Sequence, residues 1–249
     1  MTGASDKMPR SYFQNHEALE STYWWHVNRR KIALAWIANV GITRPRLLDL
    51  GCGTGGFILE LAAQTGSPAA VGLDASPSAL ETASSRGIDA RLADLSRPVK
   101  LDDAPFDVAT VMDVLEHLPD DQPVLETARV NLKPGGYLVA SVPAYAFLFS
   151  TWDKHLGHYR RYTRPQLVAS VTRSGFRVVR SSYAFSYALL PAIARRLFGS
   201  RYSEDTSVFP KVPDAVNRIL LGMGSMEAAL LRRVSLPFGL SACVLAQRD

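Results

Sequence analysis

Six residues near position 50, GCGTGG, have the types and spacing of a loop that binds a nucleoside-containing ligand. Gly51, Gly53 and Gly56 fit the pattern G-x-G-x-x-G, and Gly55 in place of Gly56 gives G-x-G-x-G. Glycines that follow a strand let the backbone turn tightly and approach a ligand closely, and the next helix offers its free N–H groups. A dinucleotide and the nucleoside part of S-adenosylmethionine can both use this geometry.

Two aspartates flank the glycine loop. Asp74 stands about 20 residues beyond it, at the end of a predicted strand, where a carboxylate can accept both ribose hydroxyls of either ligand. Its alternative role is to cap a helix that starts at Ser76-Pro77. Asp49 lies inside the first strand, where it can accept hydrogen bonds from an ammonium group or from loop N–H groups. A pyrophosphate would be repelled by this charge, so Asp49 favours S-adenosylmethionine.

A third aspartate, Asp94, follows the third predicted strand. It could accept the exocyclic amine of an adenine ring, with Leu92 or Leu95 packed on the ring face. A carboxylate at this position can equally cap a loop, and the local residues favour neither role over the other.

Polar side chains that could act on an acceptor follow the fourth and fifth predicted strands. Among them, His117 and His158 are the candidate bases for a hydroxyl acceptor, because an imidazole can take a proton near neutral pH. We prefer His158, which lies outside the cofactor motifs, and a structural role is the alternative for either histidine. The other candidates in these loops are Asp113, Glu116, Tyr145, His155, Tyr159, Arg160, Arg161 and Tyr162.

The basic residues of this second loop suit an anionic group on the acceptor. Arg160, Arg161 and Arg164 could bind a carboxylate or phosphate with paired N–H groups. The competing interpretation is an ion pair within the protein, for example with Asp153, and we expect it to hold for at least one of them. No cluster of acids and histidines has convincing metal-ligand spacing, so we predict no metal site, although Asp113, Glu116 and His117 keep a divalent ion as an alternative.

These side chains need a scaffold, and residues 46 to 142 predict one. Short apolar runs alternate with helical patterns, which is typical of βαβ units in a parallel sheet. The predicted strands are Arg46 to Leu50, Ala70 to Asp74, Asp89 to Ala93, Phe106 to Met112 and Tyr137 to Val142, with Gly135-Gly136 as a turn. The predicted helices between them are Gly55 to Gln64, Pro77 to Ser85 and Gln122 to Leu132.

Further elements lie on both sides of this core. Thr163 begins a helix with a capping box through Gln166, and that helix stops at Gly175. The remaining predictions are a helix over Asn15 to Val40, an irregular segment from Pro143 to Tyr162, a strand over Phe176 to Ser182, helices over Phe185 to Phe198 and Ala215 to Val234 around a polar stretch from Gly199 to Pro213, and a closing strand over Gly239 to Gln247.

The ordered motifs resemble those of the class I S-adenosylmethionine-dependent methyltransferases, specifically the type 11 group. The matching segments are LLDLGCGTG, VGLDAS, ADL at 93 to 95, FDVATVMDVLEHLPD and LKPGGYLVASVP, which together span residues 46 to 144. The resemblance implies an α/β, Rossmann-like fold with a seven-stranded, mostly parallel sheet, helices on both faces and one antiparallel strand, and it implies S-adenosylmethionine as the cofactor. The predicted cofactor residues are Asp49, Gly51, Cys52, Gly53, Asp74, Ala75, Asp94, Leu95, Asp113 and Arg30.

The N-terminal group Tyr23, Trp24, Trp25 and His26 suits a lid over cofactor and acceptor, because planar side chains with polar edges can cover both. Core packing of Trp25 is the alternative. Either Arg29 or Arg30 could reach the methionine carboxylate. The predicted acceptor-binding residues are Tyr23, Trp24, Tyr145, Tyr159, Arg160 and Arg161. We divide the chain into a helical cap (1–45), a cofactor-binding core (46–182) with an insertion (143–163), and C-terminal helices with a closing strand of the same domain (183–249).

Composition narrows the class of protein. The 249 residues carry a formal charge of +5 with both signs spread along the chain, which does not indicate a nucleic-acid partner. Two distant cysteines, Cys52 and Cys243, argue against a disulfide framework and fit a cytoplasmic protein. The start, MTGASDKMPRSYF, lacks the apolar run of a signal peptide. Arginines on the C-terminal helices keep peripheral membrane contact as a less favoured alternative.

Taken together, the residues predict a methyltransferase, O-directed, that acts on a small hydroxyl- or carboxyl-bearing molecule such as a glycan or lipid precursor. The alternatives are N- or C-directed transfer, a NAD-dependent oxidoreductase, and an inactive protein that binds the cofactor for interaction. The motifs identify neither the acceptor nor the oligomeric state, for which monomer and homodimer both stay open.

Overall fold

The computed structural model describes residues 19–198 and 212–249. The strands are β1 (Leu47–Leu50), β2 (Ala70–Asp74), β3 (Asp89–Leu92), β4 (Phe106–Met112), β5 (Leu132–Pro143), β6 (Phe176–Ala184) and β7 (Ser241–Arg248). The helices are α1 (Trp24–Asn39), α2 (Gly56–Thr65), α3 (Pro77–Ser85), α4 (Gln122–Asn131), α5 (Thr151–His155), α6 (Arg164–Arg173), α7 (Ser186–Phe198) and α8 (Asp214–Leu231). Short 3-10 turns lie at Leu115–His117 and Ala146–Leu148.

The seven strands form one sheet in the order β3-β2-β1-β4-β5-β7-β6. Strands β1 to β5 pair in parallel, and β7 runs antiparallel between β5 and β6. The predicted Rossmann-like sheet with an antiparallel closing strand is therefore confirmed. Because the strand order reverses beside β1, the carboxyl ends of β1 and β4 lie next to each other, which is where ligands bind in open α/β sheets.

Local sequence signals explain where two of the helices begin. Ser76 caps α3, its hydroxyl accepting from Ala79 N at 3.2 Å, and Pro77 occupies the first helical position. Thr163 and Gln166 form the predicted capping box at the start of α6. These short-range contacts fix the helix starts independently of the rest of the fold.

Two predicted elements differ from the observed ones by more than three residues at one end. The helix predicted over Asn15 to Val40 is interrupted: Leu19 and Glu20 are helical, the backbone from 21 to 23 is not, and α1 starts at Trp24. The interruption has a tertiary cause, because Trp24 N donates to Asn217 Oδ1 at 2.9 Å instead of continuing a helix. Residues 15–18, the N-terminal segment before them and the polar stretch as far as residue 211 lie outside the described residues.

The predicted turn at Gly135-Gly136 is instead part of β5, which begins at Leu132 rather than at Tyr137. The pairing with β4 shifts register between Phe106 and Val108, and Gly135 has φ +76°. A glycine at positive φ permits such a bulge without ending the strand.

Buried apolar side chains cover both faces of the sheet. On one face, α1 packs against α2 and α8, with Trp36 fully buried and its Nε1 donating to Leu231 O at 2.9 Å. Asn28 also links α1 to α8 and α7, because its side-chain amide donates to Leu220 O and to Tyr187 Oη. None of the helices within 19–198 and 212–249 has the length and hydropathy to cross a membrane.

Candidate active site

The glycine loop folds back on the end of β2. Gly51 N and Cys52 N both donate to Leu73 O, at 2.7 and 3.0 Å, and Gly53 N donates to Asp74 Oδ2 at 2.8 Å. Gly51 has φ +79°, and a Cβ there would lie 2.4 Å from Val114 Cγ2. Gly53 has φ +54° with nothing within 4 Å of a Cβ, so its backbone faces open space that a ligand can enter. The loop thus has the tight turn that the spacing predicts.

Asp74 is braced by two backbone groups. Its Oδ2 accepts from Gly53 N and its Oδ1 from Ser76 N at 2.9 Å, so the carboxylate joins the glycine loop to the start of α3. A carboxylate oxygen can accept more than one hydrogen bond, so these contacts are compatible with ribose binding. Of its predicted neighbours, Ala75 is exposed, whereas Cys52 is buried against Gly72 and burial raises the pKa of its thiol.

Asp49 is a buried carboxylate at the centre of the site. Its exposed fraction is 3%, and its Oδ1 accepts from Thr110 Oγ1 at 2.7 Å. Burial, with some repulsion from Asp74 and Glu20, raises the pKa of Asp49 to about 7 despite the Thr110 hydrogen bond and the charge of Arg29. A buried acid of this kind suits a cationic ligand, because a positive charge beside it would offset the burial.

Asp113 joins β4, β5 and α1 at the same edge of the sheet. Its Oδ1 accepts from Ser141 Oγ at 2.8 Å and its Oδ2 from Arg29 Nη1 at 2.6 Å, and it has φ +57°. The Arg29 guanidinium also interacts electrostatically with Asp49 and Glu116. The charge of Arg29 is therefore shared among the carboxyl groups of Asp113, Asp49 and Glu116.

Arg30, which we predicted to bind the cofactor, is engaged elsewhere. Its guanidinium pairs with the Glu60 carboxylate on α2 and donates to Glu20 O at 2.5 Å. Successive residues of a helix point about 100° apart, so Arg29 and Arg30 cannot both reach Asp113. Of the two arginines, Arg29 is the one whose side chain reaches Asp113.

The third predicted aspartate lies in an exposed turn. Asp94 Oδ1 accepts from Ser96 N at 3.0 Å and from Ser96 Oγ at 2.6 Å, which is the loop-capping arrangement. Leu95 packs in the main core, whereas Leu92 has an exposed fraction of 59%. Of these two leucines, it is Leu92 whose side chain is open to an incoming ring.

The two candidate bases are brought together. The His158 and His117 rings meet edge to face with centroids 4.6 Å apart. His158 Nδ1 lies 2.9 Å from Oδ1 of the fully buried Asp153. Burial alone would raise the pKa of Asp153, but hydrogen bonds from His158 and Arg161 hold it well below its usual range. A carboxylate on Nδ1 keeps the proton there in neutral His158, which leaves the lone pair on Nε2.

Glu116 lies beside this pair, fully buried, with Oε2 making no hydrogen bond. Burial, followed by repulsion from Asp113, raises the pKa of Glu116 well above its usual value. Glu116, His117 and His158 offer ligand atoms that all lie within 4.8 Å of one another, so these three residues could hold a divalent ion. This group differs from the sequence alternative, because His158 takes the place of Asp113.

The predicted acceptor-binding residues behave differently from one another. Arg161 pairs with both oxygens of Asp153, which confirms that at least one arginine of this loop is structural. Arg160 donates to Leu118 O and Pro119 O. Tyr159 is more than half exposed. Tyr145 stacks on Tyr183 with ring centroids 5.2 Å apart.

The aromatic residues at the start of α1 form a cluster with the start of α7. Trp25 stacks on Phe185 with centroids 4.3 Å apart, and Trp24 meets the same ring edge-on at 5.9 Å. Both tryptophans are half-buried against the core, so part of the predicted lid also serves packing. Burial raises the pKa of Tyr23, which precedes them.

Sequence reasoning missed two contributors to the site. Glu20 is buried, accepts from Thr54 Oγ1 at 3.2 Å and pairs with Arg86 at 2.8 Å against the glycine loop. Ser141 holds Asp113 from the neighbouring strand. Glu20 lies outside the matched segments and Ser141 lies inside LKPGGYLVASVP, but no motif predicts these contacts, because each joins residues far apart in the chain.

The model of a family described as "Methyltransferase domain" matches residues 23–181. A relative from Paraburkholderia phymatum, named ubiquinone biosynthesis O-methyltransferase, is 30% identical over an alignment of 178 residues that covers 61% of this chain and 76% of that protein. A protein of the same name from Pseudomonas fluorescens is 25% identical over 198 residues, 69% of this chain and 84% of its own.

Two solved structures have a similar fold at low identity. An S-adenosylmethionine-dependent methyltransferase from Mesorhizobium loti has a TM-score of 0.57 and 20% identity and covers 86% of this chain and 98% of its own. A methyltransferase in complex with the Haloferax volcanii Trm112 activator has a TM-score of 0.65 and 16% identity, and it covers 98% of this chain and 100% of its own. These likenesses concern the fold alone.

Proposed function

This chain belongs to the methyltransferase-domain family, and on that premise we propose that it transfers the methyl group of S-adenosylmethionine to a hydroxyl oxygen of a small acceptor. Because it belongs to this family, the chain is an S-adenosylmethionine-dependent methyltransferase, and the alternative of a NAD-dependent dehydrogenase is discarded. The oxygen as target is our inference. The observation that carries it is the His158–Asp153 pair, whose free Nε2 can take a proton from a hydroxyl.

The loop and its carboxylates fit the family's cofactor. Gly53 opens onto free space, we assign the ribose hydroxyls to Asp74 beside the loop, and buried Asp49 suits an ammonium group. We assign the methionine carboxylate to Arg29 and the adenine to Asp94 and Leu92. When bound, the cofactor supplies a methyl carbon attached to a sulfonium. The sulfur leaves as a neutral thioether, so its departure needs no acid.

Alignment and proton removal are therefore the tasks left to the protein. Asp153 holds His158 in one tautomer and one orientation, and Arg161 holds Asp153. As the acceptor oxygen attacks, His158 Nε2 accepts the hydroxyl proton, and the buried Asp153 carboxylate stabilises the imidazolium that forms. Tyr23, Trp24, Tyr145 and Tyr159 offer ring faces and hydroxyls to orient the acceptor.

A matched panel of acceptors tests the choice of oxygen. The purified protein is incubated with S-adenosylmethionine and with phenols, alcohols, carboxylic acids and amines of similar shape, and the product is identified by mass spectrometry. We expect an O-methyl product from a hydroxyl acceptor. A panel in which only amines or carbon acids are methylated would contradict the proposal, and cofactor binding with no turnover on any acceptor would favour the inactive interaction protein.

A chelator separates the two roles open to the histidines. If His158 acts directly as a base, EDTA leaves the rate unchanged. Loss of activity in EDTA that added Mg²⁺ or Zn²⁺ restores would instead assign Glu116, His117 and His158 to an ion.

Cofactor affinity is expected to rise with pH. Because the pKa of Asp49 is about 7 in the free protein, the carboxylate is mostly neutral below this pH and ionised above it. A cationic ligand needs the ionised form, so the Kd for S-adenosylhomocysteine, which keeps the ammonium group, should fall about tenfold between about pH 6 and about pH 8. Titration calorimetry measures both the Kd and the proton released.

The matched variant is Asp49→Asn, which keeps the shape and the Thr110 contact but cannot ionise. It should bind about 10- to 100-fold more weakly at the higher pH, with the pH dependence gone. The assignment of Asp49 fails if this variant keeps the wild-type slope.

A further inference from the structure

The two C-terminal helices expose an unusual amount of apolar surface. Large side chains on α7, on α8 and just beyond α8 are open to solvent, with exposed fractions of 75% for Leu190, 75% for Met226 and 62% for Ile219. The other exposed apolar residues of this region, which we call the C-terminal surface together with these three, are Leu197, Val216, Met223, Leu230, Val234 and Phe238.

Helix α8 is apolar on two neighbouring sides. Its inner side, with Gly224, Ala228 and Leu231, is buried, and Gly224 packs against Asn28 of α1. Its outer stripe repeats every three or four residues at 216, 219, 223, 226 and 230, so it lies along one line of the helix. The inner side packs against the core, whereas the side chains of the outer stripe are exposed in the part of the chain that the structure describes.

The exposed charges around the C-terminal surface are mostly positive, with Asp214 at the start of α8 as an exposed acid. Arg195 and Arg196 on α7, Arg218 on α8, and Arg232 and Arg233 at its end are all exposed. From 186 to 198 and from 214 to 234 the acidic residues are Asp214 and Glu227. Glu227 is buried and accepts from Phe185 N and Ser186 N, so it does not balance the arginines at the surface.

We propose that the C-terminal surface docks on an anionic lipid bilayer, with the apolar stripe in the interface and the arginines against the headgroups. Exposed apolar residues flanked by cations are the composition of helices that lie in the membrane plane. A second copy of the chain would fit the stripe, but it would bring a second set of these arginines with few acids to balance them. The proposal changes the preference drawn from the sequence and does not depend on which atom is methylated.

Docking leaves the cofactor site intact and close to the lipid. Both α7 and α8 reach α1 through Asn28, and α1 carries Arg29 to Asp113. One helix therefore separates the C-terminal surface from the site, so an acceptor carried in the bilayer would have a short path to it.

Flotation with vesicles tests the proposal on the full chain. We expect the wild type to float with vesicles of phosphatidylcholine mixed with phosphatidylglycerol and to float poorly with pure phosphatidylcholine. High salt should release it, because screening weakens the attraction between the arginines and the anionic headgroups. Met226→Glu should lower vesicle partition about tenfold or more. Arg232→Ala and Arg233→Ala should each lower it about fivefold.

Val179→Glu is the matched control, since Val179 is an exposed apolar residue on β6 and is not part of the C-terminal surface. It should float like the wild type, and every variant should bind S-adenosylhomocysteine as the wild type does, which shows that it is folded. The arginine variants keep the test valid if Met226→Glu does not fold. The proposal is overturned if the wild type ignores anionic vesicles, if Met226→Glu floats equally well, or if the wild type is a dimer that this substitution dissociates without any vesicle binding.

Discussion

His158→Ala is expected to lower kcat by roughly 100- to 10,000-fold, the usual contribution of a positioned general base. The reason is geometric: Asp153 Oδ1 lies 2.9 Å from Nδ1 of His158, which leaves Nε2 as the proton acceptor that we propose. Binding of S-adenosylhomocysteine should change little, because His158 makes none of the contacts that we assign to the cofactor. Single-turnover kinetics with the best acceptor and calorimetry with the product measure the two quantities separately.

His155→Ala is the matched control, because His155 ends α5, three residues before His158, and is exposed. It should keep wild-type kcat. His117→Ala tests the other candidate base. A larger loss of kcat in His117→Ala than in His158→Ala would assign the role of general base to His117. Activity of His158→Ala within about threefold of the wild type would mean that the histidine is structural.

Asp74→Asn is expected to weaken binding of S-adenosylhomocysteine by roughly 100- to 10,000-fold. Each charge-assisted hydrogen bond contributes about 1.5–3 kcal/mol, and the carboxylate is assigned two, one to each ribose hydroxyl. The amide would also turn an N–H₂ group toward Gly53 N or Ser76 N, where the carboxylate now accepts. Both effects act on the glycine loop, so calorimetry should show the loss directly.

A second aspartate near a strand end serves as the control. Asp89→Asn removes a carboxylate at the start of β3 that pairs with Arg91 on the surface, and it should leave the Kd unchanged. If Asp74→Asn binds within about threefold of the wild type, Asp74 acts only as a brace for the loop and for α3.

Arg29 shows the limit of sequence reasoning at this site. Adjacent arginines on a helix are indistinguishable by type, and the choice between Arg29 and Arg30 depends on the rotation of α1 against the sheet. That rotation is set by Trp36 and Asn28, which contact α8 nearly 200 residues further along the chain. Arg29 reaches Asp113 across 84 residues, and no local pattern encodes such a contact.

The acceptor side depended still more on tertiary contacts. The sequence named His117, His158 and Asp153 as candidates, but it left both histidines with a structural alternative and used Asp153 only as an ion-pair partner. The fold joins the loop after β4 to the loop after β5, where Tyr159 N donates to Glu116 O at 2.7 Å. This contact brings the two histidines together beside a buried carboxylate.

The sequence by itself determined the parallel core, the glycine loop, Asp49 and Asp74, because these follow from short-range periodicity and from motifs within single strand-turn-helix units. The order of the motifs determined the family, and with it the methyl donor. Only the tertiary structure decided which arginine faces the site, which histidine is held by a carboxylate, and which side of α8 is left exposed. Those properties depend on how elements distant in sequence pack, and packing is decided by the whole chain.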